Sequence, residues 1–301
     1  MSRVDRIVKV IVPVAGMGTR LLPATKSQPK EMLPVGRRPV VQYVVEELEE
    51  AGLRQILFVT GSKKTAIEDH FDPDPELVRQ LSDGGGYDLL EELRYTETDV
   101  RFFYTRQSVP RGLADAVGHG KEFVGGDHFV VALGDSIVKS RDGGSFLRTM
   151  IDAHLEREVA CTLAVEEVDP QEVHRYGIIG PREDASTGET IAVEHVVEKP
   201  QPDAAPSNLA IAARYIFSPA IFEAIERTAP DRRGELQLTD SIRLLLQLGH
   251  EVQAIRLRPG ERRYDIGNFE SYFKAFIDFA IADKKYGYLV RQYLKRRTRE
   301  F

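Results

Sequence analysis

The chain has a single cysteine, Cys161. With no second thiol, an internal disulfide and a cysteine-ligated metal site are both excluded, and a reducing compartment is the simpler reading. Long apolar runs are missing as well. No segment approaches the length of a membrane span, and residues 1–10 hold no apolar stretch long enough for a signal peptide, so the cytoplasm is the expected location. Nor are basic residues in excess. The net charge of −6 argues against broad nucleic-acid or acidic-membrane binding, which draw affinity from surplus Lys and Arg, whereas a small anionic substrate needs only local positive charge. Repeats and low-complexity tracts are absent. What remains is of ordinary globular make-up: 42% hydrophobic and 29% charged residues in a chain of 301, enough for one large α/β domain or two small ones.

Periodicity favours the α/β class. Ile7, Val8, Val10, Ile11 and Val12 read as a strand buried on both faces. Val40, Val41, Val44, Val45 and Leu48 then recur at helical spacing after Pro39, and Gly52 stops that helix before a strand over 55–60. Further strands are expected over 100–105 and 129–133. Strands alternating with helices imply right-handed crossovers and a doubly wound, mostly parallel mixed sheet in a three-layer α/β/α sandwich, with ligands outside the carboxyl ends of the strands. The second half is denser in strands, at 160–168, 177–180, 190–197 and 209–217, with helices near 219–227, 236–248 and 269–282. Residues 81–86 and 182–188 read as surface turns. No linker divides the chain. The expected organisation is a catalytic unit over 1–266 and a helical extension over 267–301, packed on the core or at a subunit contact.

The most informative stretch is the run of residues 12–34. It begins where the first strand ends, and Ala15, Gly16 and Gly18 leave the backbone nearly bare, so that amide hydrogens can form an anion-binding concavity. Arg20 and Lys30, with Lys26 as a third candidate, can add positive charge around it. Two better-known glycine loops do not fit. A P-loop needs a lysine beside a hydroxyl residue, and here Gly18 is followed by Thr19-Arg20. A dinucleotide fingerprint needs a third glycine where Leu21 stands, and Gly61 replaces the acid that would hold a ribose. By itself a Gly-x-Gly pair can be just a tight turn. The basic residues and three prolines around it point to a nucleoside triphosphate.

With its Gly-x-Gly-Thr-Arg, about ten residues and Pro-Lys, the run resembles the opening of the sugar-1-phosphate nucleotidylyltransferases. The wording Pro-Ala-Thr-Lys-x-x-Pro-Lys-Glu-Met-Leu-Pro is similar to the bacterial branch that transfers a uridylyl group from UTP to glucose 1-phosphate. That resemblance implies a direct in-line displacement with Mg²⁺ as cofactor, in which Arg20, Lys30, Asp135, Lys199 and Asp265 are the catalytic set. Asp135 ends the apolar strand before it, and Asp265 lies in Tyr264-Asp-Ile-Gly-Asn268, similar to the family's Asp-x-Gly. Both are the implied metal ligands. Each also has a plainer reading, Asp135 as a turn or helix cap and Asp265 as the cap of the helix over 269–282.

By the same resemblance Ala15, Gly16, Gly18, Gln107 and Gly112 bind the nucleotide, and Gly177, Glu198, Lys199 and Asn208 the sugar phosphate. Two places depart from the uridylyl branch. Gly112-Leu-Ala-Asp-Ala116 stands where that branch usually has Gly-Leu-Gly-His-Ala, and Leu133-Gly-Asp-Ser136 where it has Leu-Pro-Asp; both look more like the dTTP-dependent relatives. Uracil and thymine differ by one methyl, worth about 1–3 kcal/mol in a pocket. The opening run, residues 198–211 and Gly234-Glu-Leu-Gln-Leu-Thr-Asp240 favour UTP. A thymidylyltransferase and a non-catalytic nucleotide-sugar sensor are the alternatives, with the retained aspartates and lysines speaking against the sensor. The expected partners are UTP and glucose 1-phosphate, with no nucleic acid and no membrane: Lys295-Arg-Arg-Thr-Arg299 reads as a solvated helix end that complements the helix dipole. The apolar surface on Tyr272, Phe273, Phe276, Ile277 and Phe279 suits core packing or a homodimer or homotetramer contact.

Overall fold

The computed structural model describes residues 7–62, 64–140, 145–182 and 189–299. Residues 1–6 of the N-terminal stretch and most of the expected turn at 182–188 therefore lie outside the described residues.

The first half runs β1 (Lys9–Pro13), a short hairpin of β2 (Pro34–Val35) and β3 (Arg38–Pro39), α1 (Val40–Glu50), β4 (Gln55–Thr60), α2 (Thr65–Phe71), α3 (Pro75–Asp83), α4 (Tyr87–Glu92), β5 (Arg101–Arg106), α5 (Leu113–Gly118), α6 (Lys121–Val124) and β6 (Phe129–Ala132). The second half continues with β7 (Ser136–Lys139), α7 (Phe146–Arg157), β8 (Cys161–Glu167), β9 (Gly177–Pro181), β10 (Thr190–Glu198), β11 (Leu209–Phe217), α8 (Ala220–Arg227), α9 (Leu238–Gln247), β12 (Val252–Arg256) and β13 (Arg262–Asp265). Two helices close the chain, α10 (Phe269–Ala282) and α11 (Gly287–Arg297).

Nine strands form one sheet in the order β5-β4-β1-β6-β11-β8-β12-β10-β9. β5, β4, β1 and β6 are parallel, and so are β8 and β12; β11 and β10 run against their neighbours. The strand alternation expected from a period of two sorts the core into two layers. Ile11, Leu57, Val59, Phe129 and Val131 face α5, α8 and α9, while Val10, Val12, Ile56, Phe58 and Val130 face α1, α2 and α7. That is the three-layer α/β/α architecture. It places the carboxyl ends of the parallel strands at one edge, with β1 flanked by the crossovers that lead to β4 and to β6.

One expectation needs correction. Residues 81–83 end α3 instead of forming a turn, because Asp74 caps that helix through Leu77 N–H at 2.9 Å with Pro75 at its first position, and the chain turns only at Gly84. The short β12, β13 and β7 were not legible as strands at all. β7 and β13 pair with each other in a separate two-stranded ladder, so neither has the long apolar run of a central strand.

A polar chain lies inside the layer beneath β8. His128 Nδ1 and His154 Nε2 share a hydrogen bond of 2.8 Å, His154 Nδ1 meets Thr162 Oγ1 at 2.8 Å, and Gln253 donates to Thr162 at 3.0 Å. Burial, with His128 beside it, lowers His154 to about 3, and burial lowers His70 to about 4. Both rings are therefore neutral in the fold, while an unfolded histidine takes a proton below about 6.5. Their contribution to stability is present at neutral pH and is lost as pH falls from there toward 4. Urea midpoints should drop between pH 7.5 and 5, and His154→Gln should flatten that pH dependence whatever it does to the midpoint itself.

Candidate active site

Four parallel strands deliver their last residues to the same edge. β1 leads into Val14-Ala15-Gly16, β4 into Gly61, β5 into Gln107 and β6 into Gly134-Asp135. The strand ladder extends into the loops: Val14 N–H donates to Val59 O at 2.9 Å and Gln107 N–H to Thr60 O at 2.8 Å. Asp265 reaches this edge by another route. The antiparallel β7–β13 pairing sets it opposite Ser136, and Ile266 N–H donates to the Asp135 carbonyl at 2.9 Å. Arg214, wholly buried, donates to Ser136 O at 2.9 Å and to Glu47 Oε2 at 2.6 Å, which braces the start of β7 against α1.

The helix-cap readings of the two aspartates fail here, while Asp135 does lie in the turn between β6 and β7. A strand follows Asp135, so it caps no helix. The cap of α10 is Asn268, whose side chain accepts from Ser271 N–H at 3.0 Å, which leaves Asp265 uncommitted to that helix.

Lys30 joins the loop to the aspartates. Its ammonium donates to Asp135 Oδ2, and a Cβ on Gly16 would lie 3.5 Å from Lys30 Nζ. Gly267 shows how close the remaining groups are: a Cβ there would fall 2.7 Å from Asp265 Oδ2 and 3.3 Å from Arg20 Nη2. The five residues Gly16, Arg20, Lys30, Asp135 and Asp265 thus form one cluster. Gly18 turns the loop with φ 66°, and Thr25 Oγ1 donates to its carbonyl at 2.7 Å.

The charges in this cluster are interlocked. Burial disfavours the Lys30 ammonium, but Asp135, Glu31 and Asp265 outweigh it and hold its pKa above the usual lysine value. Burial would raise Asp135, yet Lys30 and Arg20 hold its carboxyl below the usual range. Asp265 moves the other way. Burial and then the like charge of Asp135 push it up, and Arg263, Lys30 and Arg20 offset only part of that. Two neighbouring carboxylates, one ionised and the other raised by burial and by the first, fit a divalent cation, which would relieve their repulsion. No group of three or more His, Cys, Asp or Glu able to hold a metal occurs among the described residues, so such an ion would draw further ligands from substrate oxygens and water.

Beside the glycine loop a cavity of about 430 Å³ is lined by Ala15, Met17, Lys26, Gly61, Lys64 and Gln107, among others. Gln107 is 3% exposed and donates through Nε2 to Gly112 O at 3.3 Å and Asp115 Oδ2 at 2.6 Å. At Gly112 φ is 100°, and a side chain would overlap the backbone of Leu236, which donates its N–H to Arg111 O at 2.7 Å.

Of the residues expected at the sugar, Gly177, Glu198 and Lys199 gather. Glu198 pairs in register with Gly177, and Lys199 N–H donates to Tyr176 O at 2.9 Å. Lys199, with φ 45°, lies in the region that favours glycine, and its ammonium meets Glu198 Oε1 at 2.6 Å. Asn208 lies just before β11, donating to Val168 O at 3.3 Å. Arg263 links this group to the aspartates: it is ion-paired to Glu166 at 2.6 Å, lies 5.1 Å from the Tyr176 ring centroid, and acts electrostatically on Asp265.

The sequence profile described as "Nucleotidyl transferase" matches residues 9–280. The chain belongs to the nucleotidyl transferase family. A relative from Bacillus subtilis (strain 168), named UTP–glucose-1-phosphate uridylyltransferase, is 43% identical over 281 residues, 93% of each chain. Among solved structures, a UTP-bound UGPase from Acinetobacter baumannii superposes with a TM-score of 0.88 at 39% identity, covering 96% of this chain and 99% of that one. A UDP-glucose pyrophosphorylase complexed with UDP-glucose gives 0.83 at 35% identity, over 92% of this chain and 100% of that one.

In this nucleotidyl transferase, sequence reasoning missed three residues that shape the site. Arg263 is one. The second is Glu31, 1% exposed, which accepts from Lys64 Nζ at 2.8 Å and so ties the glycine-loop segment to the start of α2. Its burial pushes its pKa up, with Lys64 and Lys30 working against that. The third is Asp115, which fastens Gln107. A sequence signal existed for Glu31, which is flanked by Lys30 and apolar residues; none existed for its partner. Because a buried ion left alone is costly, Glu31→Ala should destabilise the protein by about 3–5 kcal/mol in urea unfolding. Glu31→Ala paired with Lys64→Met should recover part of it.

Proposed function

We propose that this nucleotidyl transferase moves the uridylyl group of UTP onto glucose 1-phosphate, giving UDP-glucose and pyrophosphate. The observation that carries the reading is the single cluster of glycine loop, Arg20, Lys30, Asp135 and Asp265 at the carboxyl edge of the sheet, in a chain whose relatives bear that activity in their names. A phosphate oxygen of the sugar phosphate attacks the α-phosphorus as the bond to the β-phosphate breaks. The nucleophile is already an anion, so the protein's work is positioning and charge neutralisation.

Each part has a role in this scheme. Amides of Ala15, Gly16 and Gly18 line the triphosphate, with Gln107 and Gly112 at the base. Arg20 and Lys30 neutralise the phosphates, Lys30 being held ionised by its acidic neighbours. Lys199 holds the attacking phosphate, Glu198 and Asn208 accept and donate at the sugar hydroxyls, and the Gly177 backbone completes that pocket. Asp135 and Asp265 would hold Mg²⁺, which when bound supplies positive charge shared between the two phosphates. We place the division between catalytic unit and extension at Ile266 and assign the protein to the cytoplasm.

The extension is not idle surface. Tyr272, Phe279 and Ala275 pack against Leu21, Leu33, Val35 and Ile266, while Phe273, Phe276, Ile277, Leu289 and Tyr293 are exposed. We assign the exposed set to a contact between copies of this chain, as a homodimer or homotetramer. Removing the extension whole would also strip the packed set, so substitution is the cleaner test. Light scattering should report a smaller particle for Phe273→Glu combined with Leu289→Glu than for the unaltered chain.

Pyrophosphate release with Mg²⁺, crossing UTP, dTTP and CTP with the 1-phosphates of glucose, galactose and N-acetylglucosamine, tests the activity. Release should be fastest with UTP and glucose 1-phosphate; silence from every pair would leave a nucleotide-sugar sensor instead. Asp135→Asn and Asp265→Asn should each lower kcat by about a hundredfold or more, with circular dichroism unchanged.

A further inference from the structure

The Gln107 side chain is fastened at one end. Both of its Nε2 contacts are obligate acceptors, the Gly112 carbonyl at 3.3 Å and the Asp115 carboxylate at 2.6 Å. Turning the amide over would set Oε1 against two oxygens, so the orientation follows from its partners alone. Asp115 is itself held. Its Oδ1 forms an ion pair with Arg111 Nη2 at 3.1 Å, its backbone carbonyl meets His119 Nδ1 at 2.8 Å, and its side chain is 10% exposed. Among the described residues nothing donates to Gln107 Oε1, which belongs to a residue lining the cavity beside the glycine loop.

We infer that Asp115 is a positioning residue for base selection: by taking an N–H of Gln107 it leaves the amide oxygen as the group presented to the base. An oxygen can accept from the N3–H of uracil or thymine. Cytosine has a bare nitrogen there, an acceptor facing an acceptor, and would leave Gln107 Oε1 buried without a donor. The inference rests on the proposed use of a pyrimidine triphosphate, and it makes no distinction between uracil and thymine. It accounts for one departure from the uridylyl branch, since Asp115 stands where a histidine is usual and an acidic acceptor is a firm way to orient an amide.

The test is equilibrium binding of UTP, CTP and N3-methyl-UTP to the whole chain by calorimetry, alongside pyrophosphate release with glucose 1-phosphate. The variants are Asp115→Ala, Asp115→Leu, which is close in volume but offers no acceptor, and Asp115→Asn, which still offers one. The unaltered chain should prefer UTP over both other nucleotides. In Asp115→Ala and Asp115→Leu the UTP-to-CTP preference should fall by about tenfold or more, and Asp115→Asn should restore most of it. Affinity for UTP and CTP weakened by the same factor, or an unchanged preference in the variants that turn over UTP, would reduce Asp115 to a structural role and overturn the inference. Equal binding of UTP and CTP by an unaltered chain that still makes UDP-glucose would overturn the acceptor readout alone. Failure of the unaltered chain to bind any of the three would remove the proposed function and this inference together.

Discussion

Two carboxylates that repel each other are held in one place, and much of the site is organised around that conflict. Asp135 arrives at the end of β6 and Asp265 at the end of β13, and the β7–β13 ladder gives neither room to withdraw. Lys30 compensates by bonding to Asp135, and Arg20 and Arg263 add charge from the sides. The conflict is relieved only in part: burial, and after it the charge of Asp135, keeps the Asp265 carboxyl raised. A polyanionic substrate accompanied by a cation would complete the balance that the protein leaves open.

The scaffold explains why the conflict does not simply relax. Asp135 lies between a fully buried strand and a ladder whose first residue is bound by Arg214, and Arg214 is buried against Glu47 of α1. Lys30 lies one residue from Glu31, itself buried and paired with Lys64 at the start of α2. Asp135 and Lys30 are thus anchored through neighbours to α1 and α2, two helices of the same layer. Such pairs contribute little net stability compared with apolar substitutes, but each is costly to break singly, which favours a defined geometry over a loose one. In-line displacement needs that geometry more than it needs a reactive side chain.

The site divides along the sheet. The residues proposed for the base, Gln107 and Gly112, follow β5 in the parallel half, and those proposed for the sugar phosphate, Gly177, Glu198 and Lys199, lie where β9 begins and β10 ends in the mixed half. Between them stand the aspartates. Arg263, from the strand that carries Asp265, lies against the Tyr176 ring and pairs with Glu166 on β8, so one guanidinium ties that strand to the mixed half.

Much of this was legible in the chain itself. The strands Gln55–Thr60 and Leu209–Phe217 and the helix Phe269–Ala282 follow from apolar periodicity, because burial on one or two faces is written locally. The glycine loop with Arg20 and Lys30 is likewise a local pattern, and it pointed to the reaction class. The strands of the small β7–β13 ladder were not legible, being short and weakly apolar, and neither was the interior strand β12, whose five residues include a glutamine and end on an arginine. Nor were the partners of Glu31 and Arg263, since contacts between residues far apart in sequence leave no local trace, nor those of Gln107, which depend on how the loop after β5 folds back. By itself, then, the sequence determined the alternation of strands and helices, the phosphate loop and the candidate residues. Only the tertiary structure decided which of them meet: that Asp265 faces Asp135 instead of capping a helix, and that Asp115 orients Gln107. The physical reason is that pairing register and burial, not residue type, set which charges must share a low-dielectric space.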